Sequence, residues 1–185
     1  MSKTTIKGQL VGIKIIVWNY NDASKLYGLG FYGKPLGIRK PRTTDFNAPL
    51  ILSIIEALYL TEKGLLEVYS NSKLLNFNEL FEICCKNIVR CAMLYNVYRD
   101  LREKGYIVRS GLKFGADFAV YEKGPGIDHA PYLLHVMSVN EKINPVELVR
   151  AGRLSHSVRK KFIIATTRNE LGSKVDKIMF KWYKP

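Results

Sequence analysis

The strongest constraint on the fold is a change of hydrophobic period at Gly105. Before it, Ile88, Cys91, Tyr95, Tyr98 and Leu101 recur at three- and four-residue spacing. That is the apolar stripe of one amphipathic helix over 88–104, with Gly105 as its stop. After it come five short segments patterned as strands: Tyr106–Arg109, Phe114–Glu122, Pro131–Val139, Lys161–Thr167 and Lys177–Tyr183. Between the third and fourth, Asn144-Pro145 starts a helix, with the cap and first-turn proline in the right order. A helix, three strands, a helix and two strands make a mixed sheet packed by helices.

The amino-terminal half has a different texture. Ile13–Trp18 reads as a strand, and Asn21 or Asp22 caps a short helix ending near Gly30. Residues 32–49, YGKPLGIRKPRTTDFNAP, are rich in turn formers and basic residues and read as a long loop. Leu50–Lys63 is read as an amphipathic helix, Leu65–Tyr69 as a strand, and Phe77–Cys85 as a helix capped by Asn76. The expected class is therefore α/β (α+β), with a small mixed α/β domain over 1–86 and a second domain over 87–185. The boundary near Lys86 rests on the change in period and on charge. Residues 1–86 carry 11 basic and 7 acidic side chains (11 − 7 = +4), and residues 87–185 carry 18 and 9 (18 − 9 = +9).

The whole chain of 185 residues has a formal charge of +13. A basic half favours a polyanionic partner, since each phosphate neutralised releases condensed counterions. The longest apolar run, Pro49–Leu60, is broken by Ser53 and Glu56, too short to span a bilayer. The opening MSKTTIKGQL lacks a signal-peptide core, so a cytoplasmic location is expected. Cys84, Cys85 and Cys91 have no CxxC spacing, and reduced, buried thiols are expected.

Several chemistries find no support. Asp117, Glu122 and Asp128 are the nearest thing to a carboxylate cluster for magnesium, and no acidic-x-Lys pair follows them. There is no P-loop, and Ser155-His156 lies in no nucleophile elbow. Neither metal nor cofactor is expected. RNA, by contrast, brings its own nucleophile, the ribose 2′-OH. Cleavage then needs a base, an acid and a cation for the crowded phosphorane. Tyr121 at a strand end, His129 in a glycine- and proline-rich loop, and Lys160 before the fourth strand are suited to those posts. On pattern alone each also has a bland reading: Tyr121 as packing, Lys160 as a solvated charge. His135, alternating with apolar neighbours, reads as a core histidine. Pattern alone leaves a basic RNA-binding α/β protein.

The stretch YRDLREKGYIVRSGLKFGADFAVYEKGPGIDHAPYLLHVM, followed by RLSHSVRKKFIIA, closely resembles the catalytic domain of archaeal tRNA-intron endonucleases. YGKPLG and LILSIIEALYLTEKGLLEV resemble the smaller amino-terminal domain of that family. The resemblance implies a restriction-endonuclease-like second domain and cleavage of precursor tRNA at bulges flanking an intron, leaving a 2′,3′-cyclic phosphate and a 5′-hydroxyl. It assigns Tyr121 as base, His129 as acid and Lys160, with Lys161 as the weaker match, as stabiliser of transition-state charge. A free tyrosine ionises near pH ~10, so a neighbouring cation is expected to favour the phenolate.

The resemblance also matches Arg153 and Trp182 to a pair of flat side chains that pinch a bulge base, in keeping with guanidinium and indole stacking. The loop IRKPRTTDFNAP resembles a crenarchaeal insertion, through which Lys40 and Arg42 would contact RNA backbone. TTRNELGSKVD occupies the position of an acidic docking loop but carries Arg168 and Lys174 as well as Glu170 and Asp176. The family implies four units, either a homotetramer or two catalytic plus two structural chains, and the crenarchaeal-type loop favours the heterotetramer. The alternatives are a non-catalytic structural subunit or a plain RNA-binding protein.

Overall fold

A computed structural model describes residues 5–39, 41, 43–127, 129–146, 148–149, 152–153 and 160–180. The chain divides into two units, Met1–Cys91 and Ala92–Pro185.

The first unit is a six-stranded mixed sheet with helices. In chain order it comprises β1 (Ile6–Val11), β2 (Lys14–Val17), α1 (Tyr20–Gly28), β3 (Lys34–Pro35), β4 (Leu50–Ser53), α2 (Ile54–Glu62), β5 (Leu66–Ser70), β6 (Lys73–Leu75) and α3 (Phe77–Asn87). The sheet order is β3-β4-β2-β1-β5-β6. β1 pairs with β5 in parallel, and the other pairs are antiparallel.

Ser53 is both the last residue of β4 and the cap of α2. Its Oγ accepts from Glu56 N at 3.2 Å, while Glu56 Oε2 accepts from Ser53 N at 2.8 Å, a reciprocal capping box. The other oxygen of Glu56 accepts from Gly33 N at 2.8 Å, so one side chain ties the helix start to the loop before β3. Gly33 sits at φ +68, and a Cβ there would meet Ile51 O at 2.8 Å. Only glycine fits that bend.

Three expectations change here. The helix expected over 50–63 begins at Ile54, because Leu50–Ser53 pairs antiparallel with β2 and alternates between buried and half-buried. An apolar run of this length suits either period, and the neighbouring strand decides. The first helix is capped by Asn19, whose side chain accepts from Asp22 N at 3.0 Å, rather than by Asn21 or Asp22. The thiols of Cys84 and Cys91 are joined in a disulfide rather than reduced. Ile88 leaves helical geometry (φ −132, ψ 106), so α3 stops and the chain turns. The turn brings the two cysteine Cα atoms within 5.9 Å, the span a disulfide requires. Cys85 remains a free, exposed thiol, and desolvation pushes its pKa up.

The same turn shortens the long helix expected over 88–104 to α4 (Cys91–Glu103). Then follow β7 (Ile107–Ser110), a 3-10 turn (Leu112–Phe114), β8 (Phe118–Tyr121), β9 (Tyr132–Ser138), β10 (Lys161–Thr167) and β11 (Asp176–Phe180). The strand expected from Phe114 begins at Phe118, because Gly115 at φ +65 closes the 3-10 turn first. The described residues among 145–153 are helical, and Asn144 Oδ1 accepts from Val146 N at 2.9 Å as the expected cap.

The sheet of this second unit runs β11-β10-β9-β8-β7, with β9 and β10 parallel and the rest antiparallel. It is the mixed sheet expected from the period. Phe118 packs on Tyr98 of α4 (ring centroids 6.0 Å apart), so α4 covers one face. The other face carries a cluster of Ala119, Leu133, Met137, Phe162 and Ile164, with Leu148 of the helical stretch packed against it. The loop after β10 is fastened by Asn96, buried in α4. Its amide donates to Glu170 O at 2.7 Å and accepts from Gly172 N at 2.9 Å. Among the described residues no helix is long and apolar enough to cross a membrane.

Candidate active site at one end of the second sheet

Sheet register positions the candidate residues. Val120 pairs with Tyr132, so Tyr121 lies level with Pro131. Lys161 pairs with Tyr132 on the other side, so Lys160 is also level with Pro131, where Lys161 N donates to Pro131 O at 2.8 Å. Tyr121 and Lys160 thus flank the start of β9, two strand spacings apart, with roughly 10 Å between Cα atoms.

They also share a face. Side chains alternate along a strand, so Tyr121 falls on the side of Ala119, and Lys160 on the side of Phe162. Ala119 and Phe162 belong to the same cluster, and Tyr121, half-buried, packs against it. Lys160 Nζ lies 5.3 Å from the ring centroid of Phe114, another residue on that cluster, and donates a short hydrogen bond to Ala130 O. An ammonium held over a ring face gains from the ring quadrupole. Lys161 goes the other way, with its Nζ 5.5 Å from the Tyr132 ring centroid.

His129 precedes Ala130 on the loop from β8 to β9 and is exposed. The carbonyl that anchors Lys160 therefore belongs to the residue after His129. The fold brings Tyr121 and Lys160 to one end of one sheet face, with His129 in the loop that leads into β9 there. A hydroxyl, an imidazole and an ammonium are groups of the kinds that can serve as base, acid and charge stabiliser.

Arg153 is exposed, in the helical stretch before β10. Lys40, Arg42 and Trp182 lie outside the described residues. Asp128 and His156 do too. Among the described residues no group of three or more His, Cys, Asp or Glu is placed to hold a metal ion.

Two residues read otherwise from sequence acquire a setting here. His135 is not a core histidine: its side chain is 41% exposed, and its Nδ1 lies 3.0 Å from Asp117 Oδ2. Asp117, considered only as a metal carboxylate, instead fixes that imidazole and accepts from Val136 N at 2.8 Å. Alternation along 132–138 put His135 on the face of Leu133 and Met137, but not at an opening.

These features define a two-unit α/β protein with a tyrosine–histidine–lysine edge, an architecture suited to a nuclease. Family comparison makes the assignment specific. The description "tRNA intron endonuclease, catalytic C-terminal domain" matches residues 91–175, and "tRNA intron endonuclease, N-terminal domain" matches residues 6–81. A tRNA-splicing endonuclease of Hyperthermus butylicus is 51% identical over 181 residues, covering 97% of this chain and 99% of the relative. Those of Sulfurisphaera tokodaii (51% over 178 residues; 96% and 98% covered) and Saccharolobus solfataricus (48% over 181; 97% and 99%) are similar. The chain belongs to the tRNA intron endonuclease family.

Proposed function

We propose that the chain is a catalytic subunit that cleaves precursor tRNA at the bulge–helix–bulge borders of an intron. The observation that carries this reading is the common level and face of Tyr121 and Lys160, with His129 in the adjoining loop. The Tyr121 phenolate takes the proton of the ribose 2′-OH, whose oxygen attacks the adjacent phosphorus. The bond from phosphorus to the 5′-oxygen breaks as His129 supplies a proton to the leaving oxygen. A 2′,3′-cyclic phosphate and a 5′-hydroxyl result. Lys160 meets the charge that builds on the phosphorane, where a fixed cation contributes most. The 2′-OH is the only nucleophile required, so the reaction runs without metal.

Catalysis falls to residues 87–185, while residues 1–86 form the amino-terminal domain. Arg153 and Trp182 pinch a bulge base from a neighbouring subunit, and Lys40 and Arg42 contact RNA backbone. The working assembly is two catalytic plus two structural chains. The relatives named tRNA-splicing endonuclease, similar over nearly their whole length, support this reading.

The test is cleavage of a bulge–helix–bulge RNA in excess EDTA, by the chain alone and with candidate partner chains, beside His129→Ala. EDTA-resistant cutting at both bulges that leaves cyclic phosphate and is lost in the variant is the expected result. Binding without cutting in every assembled form leaves an RNA-binding or structural subunit instead.

A further inference from the structure

A cavity of about 700 Å³ opens on the sheet face that carries Tyr121 and Lys160. Its floor is apolar, formed by Leu133, Met137, Phe162 and Ile164. Its rim carries Lys113, His135 and Lys142. Phe114 belongs to both places, since it lines the cavity and holds Lys160 Nζ over its ring. The cavity therefore begins where the lysine of the site ends.

His135 is pre-oriented in this cavity. Its Nδ1 faces a carboxylate of Asp117 that is only 12% exposed. An ionised carboxylate accepts and never donates, so Nδ1 carries the proton and Nε2 is left to meet a ligand. Among the described residues Glu141 is the one acid on the rim, and its Oε2 accepts from Ser138 N at 3.3 Å within its own turn. The ammoniums of Lys113 and Lys142 give the rim the charge that phosphate requires.

We propose that this cavity is a nucleotide subsite for the base of the unpaired ribonucleotide beside the scissile phosphate. The base lies on the apolar floor, its edge hydrogen-bonds with His135 Nε2, and Lys113 and Lys142 meet the flanking phosphates. The volume fits within the ~300–1,000 Å³ usual for small-ligand sites and leaves room for one nucleoside. A splayed-out base on an apolar floor, read along its edge, is how single-stranded RNA is recognised. The inference rests on the RNA-cleaving reading for which phosphate sits at Lys160.

The test uses the full chain with ¹³C-labelled methionine methyls. Met137 is in the floor, and buried Met93 in α4 is the internal control. The probe is a bulge–helix–bulge RNA made uncleavable by 2′-deoxy residues at the scissile positions. Saturation is expected to shift the Met137 methyl and leave Met93 in place. An abasic residue beside the scissile phosphate abolishes that shift and weakens binding by about tenfold or more, the usual value of one stacked base.

His135→Gln and Lys142→Ala each weaken binding of the intact RNA, with little further effect on the abasic RNA. Lys142 is exposed, so that variant reports even if His135→Gln fails to fold. An unmoved Met137 at saturation, or equal binding of intact and abasic RNA, overturns the inference. Cleavage of ordinary bulge RNA is read separately. A Met137 response without cleavage leaves a pocket for an RNA base but removes both the endonuclease reading and the placement beside a scissile phosphate, while cleavage without the response removes the subsite alone.

Discussion

Replacing Asn96 by alanine tests whether the loop after β10 is held from inside α4. The carboxamide is buried, and both of its ends face the loop: the donor 2.7 Å from Glu170 O, the acceptor 2.9 Å from Gly172 N. With a carbonyl on one side and an N–H on the other, only one amide orientation satisfies both. The variant loses two hydrogen bonds worth roughly 1 kcal/mol each. Glu170 and Gly172 are exposed, so their freed backbone groups rehydrate and add no further penalty. The expected destabilisation of the second unit is therefore about 2 kcal/mol, or roughly thirtyfold in its opening equilibrium. Amide hydrogen exchange reads it directly. The Gly172 N–H is protected in the native chain and loses protection in Asn96→Ala, whereas Asn96→Asp retains an acceptor for it and loses the donor to Glu170. Equal Gly172 exchange in native and Asn96→Ala chains refutes the reasoning, as does a stability loss under about 0.5 kcal/mol.

Alkylation of the unfolded, unreduced chain is expected to label one thiol, Cys85, and three after reduction. Closing the short loop from Cys84 to Cys91 is worth about 2.5 kcal/mol by chain entropy, so reduction lowers the denaturation midpoint of the first unit; an unchanged midpoint opposes this. Lys160→Met is expected to lower kcat for bulge–helix–bulge RNA by about 10²–10³, as for loss of one transition-state donor, while Lys161→Met stays within about threefold; equal losses would dissolve the distinction. Burial pushes the Asp100 carboxyl up, but hydrogen bonds from Lys104 and Lys177 outweigh it and hold its pKa below the ordinary value. A depressed carboxylate stabilises above its unfolded pKa and loses that contribution as pH falls through the folded one. Asp100→Asn is therefore expected to cost about 1 kcal/mol at pH 7, with the gap closing as pH falls through the depressed pKa of the native carboxyl; a gap that persists in acid counts against the ion pair.

The succession of strands along the second unit is legible in the sequence because they are short, apolar and separated by clear turn residues, whereas their order in the sheet is not. What escaped reading did so for local reasons. β1 carries no clear strand signal in the sequence, and Gly8 explains part of this. A Cβ there would meet Ile15 Cγ2 at 2.5 Å, so a strand position lacks the side chain that would reveal it. The turn between α3 and α4 was hidden because Ile88 and Cys91 continue the helical spacing even though Ile88 is extended. Periodicity records which residues are buried, not whether the backbone between them is unbroken. The disulfide is hidden with it, since pairing Cys84 to Cys91 requires that turn.

The site has a different dependence on sequence. Tyr121, His129 and Lys160 are separated by up to 39 positions (160 − 121), and no local pattern joins them. Register joins them. Side chains alternate at every residue, so sliding β10 one step along β9 exchanges Lys160 for Lys161 on the Tyr121 face. Two features oppose the slip. Phe162 and Ile164 must stay in the cluster with Leu133, and Lys161 N must stay on Pro131 O. Exposing those two side chains would cost on the order of 3–6 kcal/mol, far more than any difference between two adjacent lysines. The apolar residues of β10 thus determine which lysine of the pair faces the candidate site. The RKK run cannot reveal that choice by itself, because it is made by the residues that follow.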